Sequence, residues 1–296
     1  MKLARYWVCE RGSYTGPQGE LRQVSCWGWS QTSADEARQL AQQNLQQTLQ
    51  RLPARLVGPP ATSLAEQRGW RYGYGDDRPL REEILEEMAD DRGELLAAVT
   101  RNAYGCLVLN TRDLMFVDID LPQTPPVRRL WQAMQRLLGR RTTDAETALL
   151  QRLEAAWQAS PYGRVRIYRT HSGYRCAVLD RPLPPQSEAS RALLDTLQAD
   201  PLYVRLCRSQ QSYRARLTPK FWRCGARRPP SRFPWASPEQ EHRYRQWEQH
   251  YTQAIRGWAT CRLVQELGEA PIHDDFRRLI ELHDSLTRCG EPLPLA

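Results

Sequence analysis

An α+β chain with an antiparallel-sheet core and packed helices is expected from two features of the sequence. Pairs of alternating apolar segments bracket short turn-forming tripeptides and tetrapeptides, and capped helical stripes lie between those pairs rather than after every strand. At 296 residues the chain is long enough to bury a sizeable core, as one large domain or two smaller ones.

From the N-terminus, residues 3–10 and 21–29 alternate like strands around the Gly/Pro turn at 16–19, which predicts a hairpin. Ser33, followed by Glu36 at the third helical position, opens a helix with the apolar stripe Ala37-Leu40-Ala41-Leu45-Leu49. Pro53, Gly58, Pro59 and Pro60 mark a loop at 53–63, the first domain boundary. Tyr72-Gly73-Tyr74-Gly75 then leads to an acidic helix at about 79–89. Tyr104–Asn110 and Leu114–Asp120 read as a hairpin turning through Thr111-Arg112-Asp113. Helices at about 126–138 and 144–158 follow, then a second hairpin, 164–169 with 174–180, turning through Thr170-His171-Ser172-Gly173. A helix at 188–198 precedes another that starts at Pro201, capped by Asp200. Residues 213–217 alternate as a short strand, 223–238 are irregular, and 239–267 and 273–289 read as closing helices. The expected divisions are 1–60 (hairpin and helix), 61–225 (α+β core) and 226–296 (helical C-terminal region). No repeat or coiled-coil pattern is visible, and the sequence leaves the oligomeric state open.

Charge is distributed unevenly. The formal net charge is +8, yet residues 201–236 alone hold eight arginines and Lys220 with no acid. The counterweight is 76–94, where nine acids face three arginines. Such asymmetry points to an anionic partner, and guanidinium matches phosphate bidentately. The acidic stretch is also positioned to neutralise the basic one within the molecule. No run is long and apolar enough to span a membrane, and the first residues lack a signal-peptide core, so the expected location is the cytoplasm, with no membrane partner. Eight cysteines without a CxxC pair read as mostly buried thiols.

Three constellations carry chemistry. Strand alternation puts Asp118 and Asp120 on one side at a strand end, a pattern suited to Mg²⁺ or Mn²⁺ shared with substrate phosphates; simple solvation of acids at a strand end is the alternative. The turn at Thr170, His171, Ser172 and Gly173, flanked by Arg169 and Arg175, offers hydroxyls, amides and guanidiniums to a phosphate, with His171 available as a general base or phosphate donor. Arg205 and Arg208 on one helix face, followed by Arg214, Arg216 and Lys220 and interleaved with Tyr203, Tyr213, Phe221 and Trp222, suit nucleic acid, with cations on phosphates and rings on bases.

Together these motifs resemble the archaeo-eukaryotic primase superfamily, the primase-polymerases. Leu114-Met-Phe-Val-Asp118-Ile-Asp120 is similar to its metal motif, and Arg166-Ile-Tyr-Arg-Thr170-His-Ser-Gly173-Tyr-Arg175 to its nucleotide-binding turn. The resemblance spans about 104–220. It implies an RRM-like antiparallel-sheet core, divalent metal at the two aspartates, triphosphate at the turn, and a third carboxylate for which Asp180 and Asp200 are both candidates. Where that family has a histidine shortly after the turn glycine, this chain has Arg175 and Cys176. The function implied is a nucleotide- or nucleic-acid-binding nucleotidyltransferase. Alternatives are a catalytically inert nucleic-acid-binding protein and a metal-dependent phosphodiesterase or sugar-nucleotide transferase.

Overall fold

The computed structural model describes residues 1–55, 78–121 and 145–296. The expected boundary near 60, the 72–75 stretch and the helix at 126–138 lie outside them.

At the N-terminus β1 (Tyr6–Thr15) and β2 (Leu21–Ser30) pair along their full length, from Tyr6 opposite Ser30 to Thr15 opposite Leu21, as the alternation requires. The helix α1 (Ala34–Arg55) lies across this ribbon, and its first turn is capped by the Ser33 hydroxyl, which accepts from Glu36 N at 3.2 Å. Gly28 permits the contact: a Cβ there would stand 2.0 Å from Ala37 O. The helix runs through Pro53, so the loop expected from 53 onward begins later.

The rest is built on two four-stranded antiparallel sheets. One has the order β3 (Glu83–Ala89), β4 (Leu95–Arg101), β5 (Leu107–Thr111), β9 (Tyr213–Arg216). The other has the order β10 (Cys261–Leu267), β7 (Val165–Thr170), β8 (Gly173–Val178), β6 (Phe116–Asp120). Around them pack α2 (Ala145–Gln158), α3 (Glu188–Thr196), α4 (Pro201–Gln210), α5 (Pro238–Ala254) and α6 (Asp274–Thr287). Leu114, Met115, Phe116, Val117 and Ile119 sit in the main core with Leu153 and Trp157 of α2 and Phe276, Leu279 and Ile280 of α6. A smaller aromatic cluster joins Tyr244, Trp247 and Tyr251 of α5 to Cys224. All eight cysteines are free thiols, six of them buried and two, Cys9 and Cys26, half-buried on the N-terminal ribbon.

Three expectations are corrected. The acidic helix at 79–89 is the edge strand β3: pairing with β4, through Glu83 opposite Arg101 and two register shifts, overrides the helical preference of Glu, Leu, Met and Ala. The strands at 107–111 and 116–120 exist but do not pair with each other. Thr111 to Met115 carries the chain from one sheet to the other, with Arg112 N bonded to Leu96 O at 2.9 Å, and a crossover of this length has the same turn residues as a hairpin. The helix expected across 239–267 ends at Ala254, and β10 returns to the edge of the second sheet, Cys261 opposite Thr170, so the C-terminal region is not purely helical.

Candidate functional site

Strand β6 ends beside the β7–β8 turn, and the ladder sets Asp118 opposite Arg175 and Asp120 opposite Gly173. The turn itself has only His171 and Ser172 between the strands. Gly173 is needed for packing, since a Cβ would stand 2.0 Å from Ile119 O.

Arg175 is 2 % exposed and lies against the Asp118 carboxylate. Its Nε donates to Asp118 Oδ1 at 2.7 Å and its Nη2 to Oδ2 at 3.1 Å, a bidentate pair. Nη1 donates to Arg216 O at 3.0 Å, which ties β8 to β9 of the other sheet, and lies 3.4 Å from His283 Nε2 on α6. Burial alone would pull the guanidinium's pKa down; the charge and hydrogen bonds of Asp118 prevail and raise it above the ordinary arginine value. The His283 imidazole, fully buried, is held below its ordinary value by that burial, against the opposing hydrogen bond to Asp284, while nearby Arg175 lowers it further. Its neutral form thus has Nδ1 toward Asp284 Oδ1 at 2.8 Å and Nε2 toward Arg175. Asp284 also accepts from Tyr168 at 2.8 Å and Arg166 at 2.7 Å, which completes a partly buried polar chain behind the strand end.

Asp120 is exposed, and its carboxyl is raised above the usual range by partial burial, then by Asp200 and Asp118. Asp200 N donates to Asp118 O at 3.2 Å, and the Asp200 side chain caps α4 at Leu202 N, 3.0 Å away. Of the two candidates for a third carboxylate, Asp200 therefore sits at the strand end. Asp180 instead accepts from Gly163 N at 3.0 Å and Arg181 at 2.8 Å. Both oxygens of Asp118 accept from one buried guanidinium, one hydrogen bond each. Among the described residues no group of three or more His, Cys, Asp or Glu side chains is arranged to hold a metal ion.

Cations converge on the open side of the same strand end. Lys220 is pushed down to about 8 by burial, then by Arg216 and Arg223. Arg223 is lowered by burial and Arg216, and its Nη2 donates to Ser172 Oγ at 3.0 Å. His171, lowered by burial, then by Arg223 and Arg169, lies with Nδ1 3.1 Å from Ser172 Oγ. Arg216 Nε is buried without a hydrogen-bond partner. Beside them Trp222, 50 % exposed, has Lys220 Nζ 5.2 Å from its ring centre and Tyr104 edge-on at 5.4 Å. The segment is held from beneath: Tyr251 OH donates to Thr218 Oγ1 at 2.9 Å and Thr260 Oγ1 to Leu217 O at 2.8 Å.

The other expected residues are placed differently. Arg169 is engaged by Glu146 of α2 at 2.5 and 3.2 Å and by Gly173 O at 3.0 Å, and Thr170 pairs with Cys261. Arg214 is buried in a bidentate pair with Glu82 at 2.7 and 2.9 Å, so the acidic stretch does neutralise part of the basic one. Arg205 and Arg208 are exposed on α4 and line a separate groove with Asp195 and Gln198, while Tyr203 and Tyr213 pack inward. Arg223 stood out in the sequence only as one member of the basic window. His283, more than a hundred residues away from Arg175, gave no local signal at all.

No protein-family model matches this chain, and no curated protein or solved structure matches it.

Proposed function

We propose that this chain binds a nucleotide or nucleic acid, its phosphates held by Arg216, Lys220, Arg223 and the His171–Ser172 turn, with Trp222 offering a ring for a base. One observation carries the reading: among the described residues Arg216, Lys220 and Arg223 converge at the end of β6 with no ion pair, and Arg216 Nε is buried without a partner. Three half-buried cations repel one another with only the Asp120 carboxylate nearby to offset them, and a phosphate oxygen at this place would relieve all three together. The resemblance of the β6 and β7–β8 motifs to primase-polymerases, including an RRM-like reading of the second sheet, supports the same ligand class. Arg175 donates to both oxygens of Asp118, which favours a binding role over a metal-dependent nucleotidyl transfer.

The test is fluorescence anisotropy with labelled single-stranded DNA, single-stranded RNA and duplex DNA across a salt series. Affinity should fall as salt rises, and Arg216→Ala and Lys220→Ala should each weaken binding by about tenfold with a shallower salt slope. Salt-independent binding, or affinities unchanged in both variants, would rule the site out. Metal-dependent incorporation of labelled nucleotides that disappears in Asp120→Ala would instead restore the transferase reading.

A further inference from the structure

A second cavity lies between the N-terminal ribbon, α1 and the segments flanking β3 and α5, with a volume of about 580 Å³. Three tryptophans, Trp7, Trp27 and Trp29, and Phe233 form its apolar walls, and Arg51, Arg78, Arg81 and Arg232 open onto it. Among the described residues no aspartate or glutamate lines it. Two of the arginines already lie against indoles, Arg81 at 5.3 Å from the Trp27 ring centre and Arg78 at 5.8 Å from that of Trp29. The polar remainder is amide and hydroxyl: Asn44, Gln47, Ser25 and Thr48. Asn44 Nδ2 is directed to Trp27 O at 2.9 Å, which fixes that amide next to the ring.

These features select a ligand. A volume in the range of small-ligand sites suits one nucleotide rather than a peptide helix or an extended surface. Indole faces take a planar aromatic body, guanidiniums stacked on them take phosphate oxygens in a fork, and side-chain amides read the edge of a base. An apolar ligand would leave the Arg51 and Arg81 guanidiniums desolvated, and a cationic one would be repelled by them. We infer that this cavity is a second binding site, for one nucleotide unit, whose base stacks on Trp27 or Trp29 and whose phosphate is held by Arg81 and its neighbours. The unit is either a free nucleotide or one residue of a strand. The turn at 102–105 separates this cavity from the site at Lys220, carrying Ala103 on the cavity wall and Tyr104 against Trp222. The two sites share no lining residue.

Photo-crosslinking tests it. An eight-nucleotide RNA carrying 5-iodouridine is irradiated with the full-length protein, and the adducts are mapped after trypsin digestion. Crosslinks should fall on peptide 23–38, which carries Trp27 and Trp29, and should drop by about tenfold in Trp27→Leu and in the surface variant Arg81→Gln. Arg81→Gln keeps the test decisive where loss of Trp27 disturbs folding, as judged by circular dichroism. Competition by ATP identifies a free nucleotide as the natural occupant, and competition by unlabelled oligonucleotide alone identifies a strand; either supports the site. Absence of adducts on 23–38, or adducts unaffected by Arg81→Gln, would overturn it. Lys220→Ala leaves the 23–38 adducts in place even if the first site proves to bind nothing, so the two readings fail separately.

Discussion

Arg175 is the residue on which the candidate site turns. It satisfies Asp118, the carbonyl of Arg216 and His283 from one buried position, so removing it strands a charge and two polar groups at once. Arg175→Ala should destabilise the protein by about 3–5 kcal/mol in urea denaturation. Arg175→Lys should recover little, because an ammonium cannot reproduce the fork. Lys220 behaves oppositely. Its pKa of about 8 means that it is charged below that pH and loses its proton above it. Phosphate binding should therefore weaken as pH rises from 7 to 9, and Lys220→Met should flatten that profile. The same substitution should stabilise the unliganded protein by about 1 kcal/mol after allowance for solvent screening, because it removes a charge that burial and then repulsion from Arg216 and Arg223 disfavour. A Lys220→Met protein less stable than the parent would show that Lys220 has a structural partner.

Strand β6 and the β7–β8 hairpin hold the site, and their ladder depends on one small residue. Gly173→Ala puts a methyl into Ile119 O, and the strand must move away from Asp120; a loss of about 3 kcal/mol in thermal or urea unfolding is expected. An unchanged midpoint would mean that the hairpin has room to shift. Much of this region was legible from sequence. The alternation of 164–180 with a Ser/Gly turn predicts the hairpin, and the period-two pattern of 114–120 places both aspartates on one side. What pairing adds is not local: Glu83 to Ala89 has helical composition, and only the neighbouring strand makes it β3. The crossover at 111–115 has the length and residues of a hairpin turn, so nothing within it distinguishes two sheets from one. Arg214 and Arg216 share a strand face in the sequence, yet Glu82, far away in the chain, takes one of them and leaves the other to the site.

The second sheet and α6 are held together by a partly buried polar chain running from Asp118 through Arg175 and His283 to Asp284, Tyr168 and Arg166, and Arg175 ties it to the first sheet at Arg216 O. His283 is kept below its ordinary value of 6.5, chiefly by burial, whereas in the unfolded chain it titrates normally. As pH falls below 6.5 the unfolded state takes up a proton that the folded state refuses, so stability is lost toward acid at up to about 1.4 kcal/mol per pH unit. Asp284 is also held below its ordinary value: burial raises it, but the bonds from His283 and Tyr168 and the charge of Arg166 prevail, so its contribution is present above pH 4 and is lost only in stronger acid. Urea midpoints measured between pH 7 and 5 should fall in the parent protein and stay nearly level, from a lower start, in His283→Gln. A parallel slope in both would place the acid sensitivity elsewhere.

The free thiols give this architecture a clock. Cys176 and Cys261 are buried in the second sheet, Cys207 in α4, and Cys106, Cys224 and Cys289 in segments next to β5, α5 and α6, whereas Cys9 and Cys26 are half-buried on one ribbon. An alkylating reagent added to the native protein will modify the two ribbon cysteines first, and each buried thiol only when its surroundings open. The order in which the other six acquire mass is therefore a record of which strands part from their neighbours and which remain closed until the protein unfolds as a unit.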